Sequence, residues 1–430
     1  MPDPISLSLP GTHDILRAEL PNGIVVLARE NFAAESVVLT GSLESGSIFE
    51  RLEQSGLSGF TASSLMRGTR AYDFDAMYET LENMAARLAV SGNTFSTIFS
   101  AKSLAEDLPT LLQLTAEALL HPVFPVDQTE RLRGELMNSL KIAAQSTRAV
   151  SSDLMRRQLY SPDHPYYAVS ALEQIETLRK LALDDLKAFH ARHYGPRGMI
   201  VVVVGAVKAE EAVKLVEDTF GNWSNPDQPA LPAIPEASPL NEIRRQAAVL
   251  PGKTQVDVSM GWVGPRRTDP DYQAVVMANS ILGAFGMMGR LGAAVREREG
   301  FAYYAASRYS TAKAQGPWSA ITGVSPKNAE EAIRLIVREI ERITTEPVSE
   351  SELADNKANF TGSLPLALES NEGVAGTIHS MENYRLGLDY LYRYRDLIEA
   401  ITVEDVLKAA QHYLNPRAFA LGIAGPEVEG

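Results

Sequence analysis

The sequence predicts an α+β fold of two duplicated α/β-sandwich halves, each with a mostly antiparallel sheet packed against helices. Two observations carry this prediction: strand-like and helix-like segments are mixed along the chain, and one unit recurs at a fixed spacing. Leu181–Asp185 is matched by Ile401–Asp405, 220 residues later, and the same offset pairs Gly205 with Gly425. A helix start, a Pro-Arg turn and an apolar strand therefore occur twice in the same order, which indicates internal duplication.

A proline-rich stretch separates the two halves. Residues 224–240 contain five prolines among polar residues and alanines. Proline has no amide hydrogen and a fixed φ, so such a stretch favours an extended linker over a helix or a central strand. We expect an N-terminal half at 1–223, a linker at 224–240 and a C-terminal half at 241–430.

Individual elements follow from local patterns. Leu20–Gly23 predicts a turn before the strand IVVLA, and SVVLTGSLESGS has strand character. Thr254–Trp262 alternates apolar and polar residues, which predicts a strand with one buried face. Asp127 and Glu130 resemble a capping box at the start of a long helix. Amphipathic helices are predicted around Val213–Phe220 and Ala329–Ile343.

Composition excludes several classes of function. The 430 residues include no cysteine, which excludes disulfides, thiolate zinc sites, iron–sulfur clusters and cysteine nucleophiles. The net charge of −14 suits basic or polar peptides better than nucleic acid or anionic lipid.

The sequence also carries expectations about location. The N-terminus lacks the basic and apolar regions of a signal peptide, and the longest apolar run, Met199–Val207, is too short to span a bilayer. We expect a cytoplasmic protein without membrane or nucleic-acid partners. A periplasmic location is compatible with a signal peptide that has been removed.

Segments spread over some 400 residues together resemble the zinc peptidases of the pitrilysin, insulinase and mitochondrial processing peptidase family. Their order and spacing carry the resemblance more than any one of them does. The segments are LPNGIVVLARE at 20–30, GS followed by Glu50, GLSGFTASSLMRGT at 56–69, HPVF at 121–124, HPYY at 164–167, FHARHYGPRGMIVVVVGAV, GKTQVDVSMGW and ILGAFGMMGRLGAAVREREGFAYY.

Active members of that family carry a motif of the form G-x-A-H-F-L-E-H-x-x-x-x-G-T, in which two histidines bind zinc and the glutamate is the general base. In this sequence the histidine positions are Gly59 and Ser63, and the glutamate position is Ala62. The region of the distal third ligand has Glu135, but one carboxylate does not hold a catalytic zinc ion. The resemblance implies no metal or other cofactor in this chain, with zinc expected in a partner subunit.

Other histidines offer weaker alternatives. His190 and His193 are spaced i, i+3 on a predicted helix, but no acid follows at ligand spacing. His379-Ser-Met-Glu382 resembles a zinc motif without its second histidine, and chance explains it better. The sequence has no G-x-S-x-G elbow, P-loop or dinucleotide fingerprint.

The resemblance also implies a role for an arginine and a tyrosine. In related two-subunit enzymes, the chain without the zinc motif supplies both from a pattern R-x-x-x-G-L-x-Y. Here the pattern is Arg296 to Tyr303, with phenylalanine in place of leucine. Both side chains can donate hydrogen bonds to a substrate carbonyl as charge develops on its oxygen. The simpler alternative is a solvated helix arginine and a tyrosine at a strand edge. Strand alternation places the adjacent Tyr304 on the other face.

Gly283, Gly286 and Gly289 occupy the region where the non-catalytic subunit of the mitochondrial enzyme has a glycine-rich loop for substrate. The resemblance therefore implies substrate binding at these glycines. A tight turn between packed helices explains them equally well.

Three hypotheses follow for function. The first is a non-catalytic, substrate-binding subunit of a heterodimeric zinc metallopeptidase. It would close a chamber with a homologous subunit that carries the zinc motif, and it would bind the peptide substrate by adding it to a sheet edge. The second is a homodimeric scaffold or peptide-binding pseudo-peptidase without catalysis. The third is an active peptidase with unrecognised ligands.

Overall fold

The computed structural model describes residues 9–284, 289–297, 300, 302–310 and 312–427. The side chains of residues 296 and 297 lie outside the described set, although their backbone belongs to it. The strands, in chain order, are β1 (Leu16–Glu19), β2 (Val25–Glu30), β3 (Ser36–Leu43), β4 (Arg87–Gly92), β5 (Thr97–Leu104), β6 (Ile200–Gly205), β7 (Arg244–Val249), β8 (Val256–Val263), β9 (Ala302–Tyr309), β10 (Pro317–Val324) and β11 (Ala420–Gly425).

Helices occupy most of the chain between these strands. In chain order they are α1 (Leu57–Ser64), α2 (Phe74–Asn83), α3 (Leu108–Leu120), α4 (Val126–Ala144), α5 (Thr147–Leu159), α6 (Ala171–Lys180), α7 (Leu183–His193), α8 (Ala209–Phe220), α9 (Tyr272–Asn279), α10 (Ala329–Thr345), α11 (Glu350–Ala367), α12 (Asn371–Asn383), α13 (Tyr390–Glu399) and α14 (Val403–Tyr413). Two wide helical turns lie at Ser280–Ala284 and Gly292–Glu297.

The strands form two sheets with corresponding topology. The first has the order β1-β2-β6-β3-β5-β4, and the second has the order β7-β11-β8-β10-β9. In the first sheet β6 pairs in parallel with β2 and antiparallel with β3, and β11 pairs in the same way with β7 and β8. All other neighbours are antiparallel. The α+β prediction with two similar halves is therefore confirmed.

The duplicated unit keeps its local hydrogen bonds. An Asp185 oxygen accepts the Ala182 N–H at 2.7 Å at the start of α7, and an Asp405 oxygen accepts the Thr402 N–H at 2.9 Å at the start of α14. Each carboxylate satisfies an amide that the helix itself leaves unpaired. The repeat found in the sequence thus corresponds to a repeated helix cap.

The chain divides into two compact units, each assembled from three segments. Unit 1 contains residues 1–138, 176–232 and 363–395, and unit 2 contains residues 139–175, 233–362 and 396–430. One change between the units falls inside the proline-rich stretch, whose residues 229–240 contain no helix or strand.

Each sheet is covered by a helix from the other side of that stretch. In unit 1, α12 packs on β6 and β3, with Ile378 and Met381 against Val202 and Val204. In unit 2, α5 packs on β11 and β8, where Met155 and Leu159 join Val263 and Ala420. These apolar contacts place the core of each unit on its sheet.

One strand differs from its prediction. Thr254–Trp262 was expected to bury one face, but every residue of β8 is buried, including Asp257. The reason is position: β8 lies between β11 and β10, with α5 and α10 packed on it. No helix among the described residues is long and apolar enough to cross a membrane.

Candidate functional site

Helix α1 carries the three positions that correspond to the zinc motif. It begins after Gly56, which has a left-handed φ of 96°. The carboxylate of Glu50 accepts the N–H of Gly56 at 2.9 Å and that of Ser58 at 2.5 Å, so a side chain from the segment just before the helix caps it. Burial raises the pKa of Glu50 to about 7, although these two hydrogen bonds oppose the rise. The helix that would present zinc ligands is therefore fully formed.

The motif positions on this helix face β4. A Cβ added to Gly92 on β4 would lie 3.3 Å from the Cα of Gly59 and 3.4 Å from the Cβ of Ala62. Ala62 is buried, and a Cβ added to Gly59 would meet nothing within 4 Å. Among Gly59, Ala62 and Ser63, the one side-chain atom that could approach a metal is the Ser63 hydroxyl, a poor zinc ligand at neutral pH.

Glu135, in the region of the distal ligand, is held by arginines. Arg67 Nη2 lies 2.5 Å from Glu135 Oε2, and Arg131 Nε lies 3.3 Å from Oε1. The hydrogen bond from Arg67 is the main reason that the pKa of Glu135 is lowered. Within the described ranges, no group of three His, Asp or Glu side chains is close enough to hold a metal ion.

The histidine pair on α7 has two separate environments. The Nε2–H of His190 donates to the Leu119 carbonyl oxygen at 2.8 Å, whereas the His193 ring lies between Phe49 and Phe189. Burial lowers the pKa of both imidazoles, that of His193 to about 4. The two histidines of α7 therefore have different partners, a backbone carbonyl for His190 and two phenylalanine rings for His193.

The zinc-like fragment on α12 is also engaged in packing contacts. His379 Nε2 hydrogen-bonds Ser42 Oγ at 2.8 Å, and Glu382 forms a two-pronged pair with Arg17 at 2.8 and 3.0 Å. Both side chains attach α12 to the first sheet.

Tyr303 and Tyr304 lie on opposite faces of β9, as the alternation predicts. Tyr303 is 74% exposed. The Tyr304 hydroxyl donates to Asp257 Oδ1, and the Arg148 guanidinium lies 4.6 Å from the centre of the Tyr304 ring. Arg296 lies in the helical turn Gly292–Glu297, and its side chain falls outside the described residues.

The glycine-rich segment brings two backbones together. A Cβ added to Gly289 would lie 2.5 Å from the Cα of Gly283, and a Cβ added to Gly283 would lie 2.6 Å from the amide nitrogen of Ser307 on β9. Both positions therefore require glycine for close packing. Gly286 lies outside the described residues. Substrate binding by these glycines stays a prediction.

A buried polar cluster that includes Tyr304 does not follow from the sequence analysis. Asp257, 2% exposed, accepts hydrogen bonds from Thr147 Oγ1, from Gln255 Nε2 at 3.1 Å and from Tyr304. The cluster connects the first turn of α5 to β8 and β9. The sequence feature that indicates this cluster is a single acidic residue, Asp257, in the strand-like segment QVDVSMGW.

Comparison with known families identifies this architecture. The family model described as insulinase, peptidase family M16, matches residues 25–164, and the model described as the peptidase M16 inactive domain matches residues 180–360. The chain belongs to peptidase family M16. The resemblance seen in the sequence is thereby confirmed.

Relatives of this M16 chain are similar over nearly its whole length. A protein of Mycobacterium bovis named an uncharacterized zinc protease is 24% identical, covering 95% of this chain and 93% of the relative. The mitochondrial-processing peptidase subunit beta of Blastocladiella emersonii is also 24% identical, over 95% of this chain and 88% of its own length. A crystal structure of a peptidase M16 inactive domain from Pseudomonas fluorescens superposes with a TM-score of 0.87 at 25% identity, over 96% of this chain and 98% of that one.

Proposed function

We propose that this M16 chain is the non-catalytic, substrate-binding subunit of a two-chain zinc peptidase. The observation that carries the proposal is helix α1, which is formed and capped while Gly59, Ala62 and Ser63 provide neither zinc ligands nor a general base. The pairing of Glu135 with Arg67 supports it, because that carboxylate is neutralised by a cation rather than left for a metal. The water-activating zinc then belongs to a homologous partner chain.

The second part of the proposal concerns Arg296 and Tyr303. An exposed phenol on β9 is available to a second chain, and the neighbouring Tyr304 is not, because its hydroxyl is bonded to Asp257. Arg296 and Tyr303 would donate hydrogen bonds to the oxygen on which charge develops in the partner's site. Such donors stabilise a transition state more than a ground state.

The substrate peptide would add as a strand at β4. This strand is one of the two edges of the first sheet, and α1 packs against it. An edge strand offers unpaired backbone N–H and C=O groups to an extended peptide. Peptide binding and the motif positions of α1 would then share one region of unit 1.

Co-purification with a zinc-motif homologue and a peptide-cleavage assay test the proposal. We expect cleavage by the complex and none by either chain alone. In the complex, Arg296→Ala or Tyr303→Phe should lower turnover by more than about tenfold. Exposed residues of the same types serve as controls, Arg338→Ala and Tyr78→Phe, and should leave turnover unchanged.

Two outcomes would reject parts of the proposal. A stable self-dimer that binds peptides, recruits no homologue and cleaves nothing would establish the scaffold alternative. Full turnover with both variants would remove Arg296 and Tyr303 from the reaction while leaving the subunit assignment intact.

A further inference from the structure

A second candidate site is a cavity in unit 1 whose lining includes Leu57 of α1 but none of the motif positions Gly59, Ala62 and Ser63. It has a volume of about 590 Å³ and lies between residues 48–54, one face of α7 and residues 229–232. Polar and apolar residues both line it, and the apolar part of the wall is formed by Ile48, Phe49, Leu57, Phe189, Pro229 and Pro232.

His193 also lines this cavity. Its ring centre is 4.6 Å from that of Phe49 and 4.5 Å from that of Phe189. His193 is 9% exposed, and its buried Nδ1 has no hydrogen-bond partner among the described residues. A buried polar atom without a partner is unusual in a folded protein and marks a place where a ligand or water completes the hydrogen bonding.

The carboxylates of the cavity already have donors. Both oxygens of Glu50 accept backbone N–H groups at the start of α1, and Asp185 accepts the Ala182 N–H. Each acid is therefore turned toward a helix N-terminus, where it complements the positive end of the helix dipole.

The arginines of the cavity differ from the acids. Arg51 and Arg192 are exposed, and within the described ranges neither has a carboxylate at ion-pair distance. Arg51 Nε lies 3.4 Å from the amide oxygen of Gln54, a neutral acceptor. Because the acids of the cavity already accept backbone hydrogen bonds, these two guanidinium groups are the charged groups of its lining that can receive an anionic ligand.

We propose that this cavity binds a carboxylate attached to an apolar or aromatic group. Arginine pairs with carboxylates through two parallel hydrogen bonds, and the aromatic and proline walls would bury the apolar part. Two sources provide this chemistry, the C-terminal residue of a peptide and a free aromatic amino-acid derivative. The site needs neither zinc nor a partner chain, so it stands apart from the proposed function.

Calorimetric titration of the full chain tests the site with matched ligands. N-acetyl-L-phenylalanine should bind, and N-acetyl-L-phenylalaninamide, which lacks the charge, should bind at least about tenfold more weakly. A hexapeptide ending in phenylalanine, with a free or an amidated C-terminus, distinguishes a peptide source from a small-molecule source. Tighter binding of the free-acid peptide than of the amino-acid derivative would assign the site to peptide C-termini, and the reverse order would assign it to small acids.

Variants connect the binding to the cavity. Arg51→Ala and Arg192→Ala should each weaken carboxylate binding by about tenfold. Arg197→Ala removes another exposed arginine of unit 1 that does not line the cavity and should leave the dissociation constant unchanged. Unaltered thermal unfolding midpoints would show that all three variants are folded. The proposal is overturned if the acid and amide ligands bind equally, if neither acid binds, or if both cavity variants bind as the parent does.

Discussion

Asp257 is the residue that distinguishes the two adjacent tyrosines of β9. It is buried in β8 and accepts the Tyr304 hydroxyl, which leaves Tyr303 exposed on the opposite face. Burial is the main reason that the pKa of Tyr304 is raised, and the hydrogen bond to Asp257 raises it further. The Tyr304 phenol therefore stays protonated and acts as a fixed donor.

Tyr304→Phe should destabilise the chain by about 1–3 kcal/mol, because a buried carboxylate loses a donor. Urea unfolding measures this difference. Tyr303→Phe is the matched control: its hydroxyl is on an exposed side chain, and we expect a change within about 0.5 kcal/mol. Equal losses for the two variants would contradict the assignment of Asp257 as the anchor.

His164 makes stability depend on pH. Its ring stacks on Tyr160 with centroids 4.3 Å apart, and its Nδ1 accepts the Tyr166 N–H at 3.1 Å. Burial lowers the pKa of His164 to about 4, from an ordinary value of 6.5. Between these two values the unfolded chain binds a proton that the folded chain does not, so stability decreases as pH falls.

The predicted loss from this histidine is about 3 kcal/mol between pH 7.5 and pH 4. Urea unfolding over that range should show a shallower pH dependence for His164→Asn than for the parent chain. Parallel curves for the two proteins would show that His164 does not titrate as its burial predicts.

At the scale of the element, α1 has one glycine at its N-cap and one in its interior, and their requirements are opposite. Gly56 has a φ of 96°, which favours glycine, whereas Gly59 lies inside the helix and a Cβ added to it would meet nothing within 4 Å. Gly59→Ala should therefore stabilise the chain by about 0.5–1 kcal/mol, and Gly56→Ala should destabilise it by about 1 kcal/mol or more. Unfolding midpoints in urea decide the signs. Destabilisation by Gly59→Ala would mean that this position has a packing role absent from the structure.

Local sequence patterns predicted which segments form strands and helices better than they predicted which faces of those elements are buried. The strands around Val25 and Ser36 and the helix from Ala329 follow from short-range periodicity, and all are present. The full burial of β8 depends on neighbours far away in sequence, so alternation in Thr254–Trp262 indicated one buried face where there are two. Asp257 was overlooked for the same reason, since its partners Thr147 and Tyr304 come from distant segments.

At the scale of the whole molecule, the sequence predicted the internal duplication but not which helix covers each sheet. The repeat at 220 residues is a property of the sequence itself, and β6 and β11 occupy equivalent places in their sheets. That α12 covers the first sheet and α5 the second depends on packing between segments more than 100 residues apart. The same holds for the candidate sites. The substitutions in the zinc motif are visible in the sequence, whereas the cavity around Arg51 and Arg192 is formed by segments that only the fold brings together.

Metal content tests the central claim most directly. The purified full chain, equilibrated with zinc and freed of loosely bound ions, should retain no stoichiometric zinc and should not cleave peptides. Its zinc-motif homologue, treated in parallel, should retain one equivalent, because two histidines and a glutamate provide the ligands. One tightly held zinc per chain in this protein, with peptide cleavage by the isolated chain, would contradict the account.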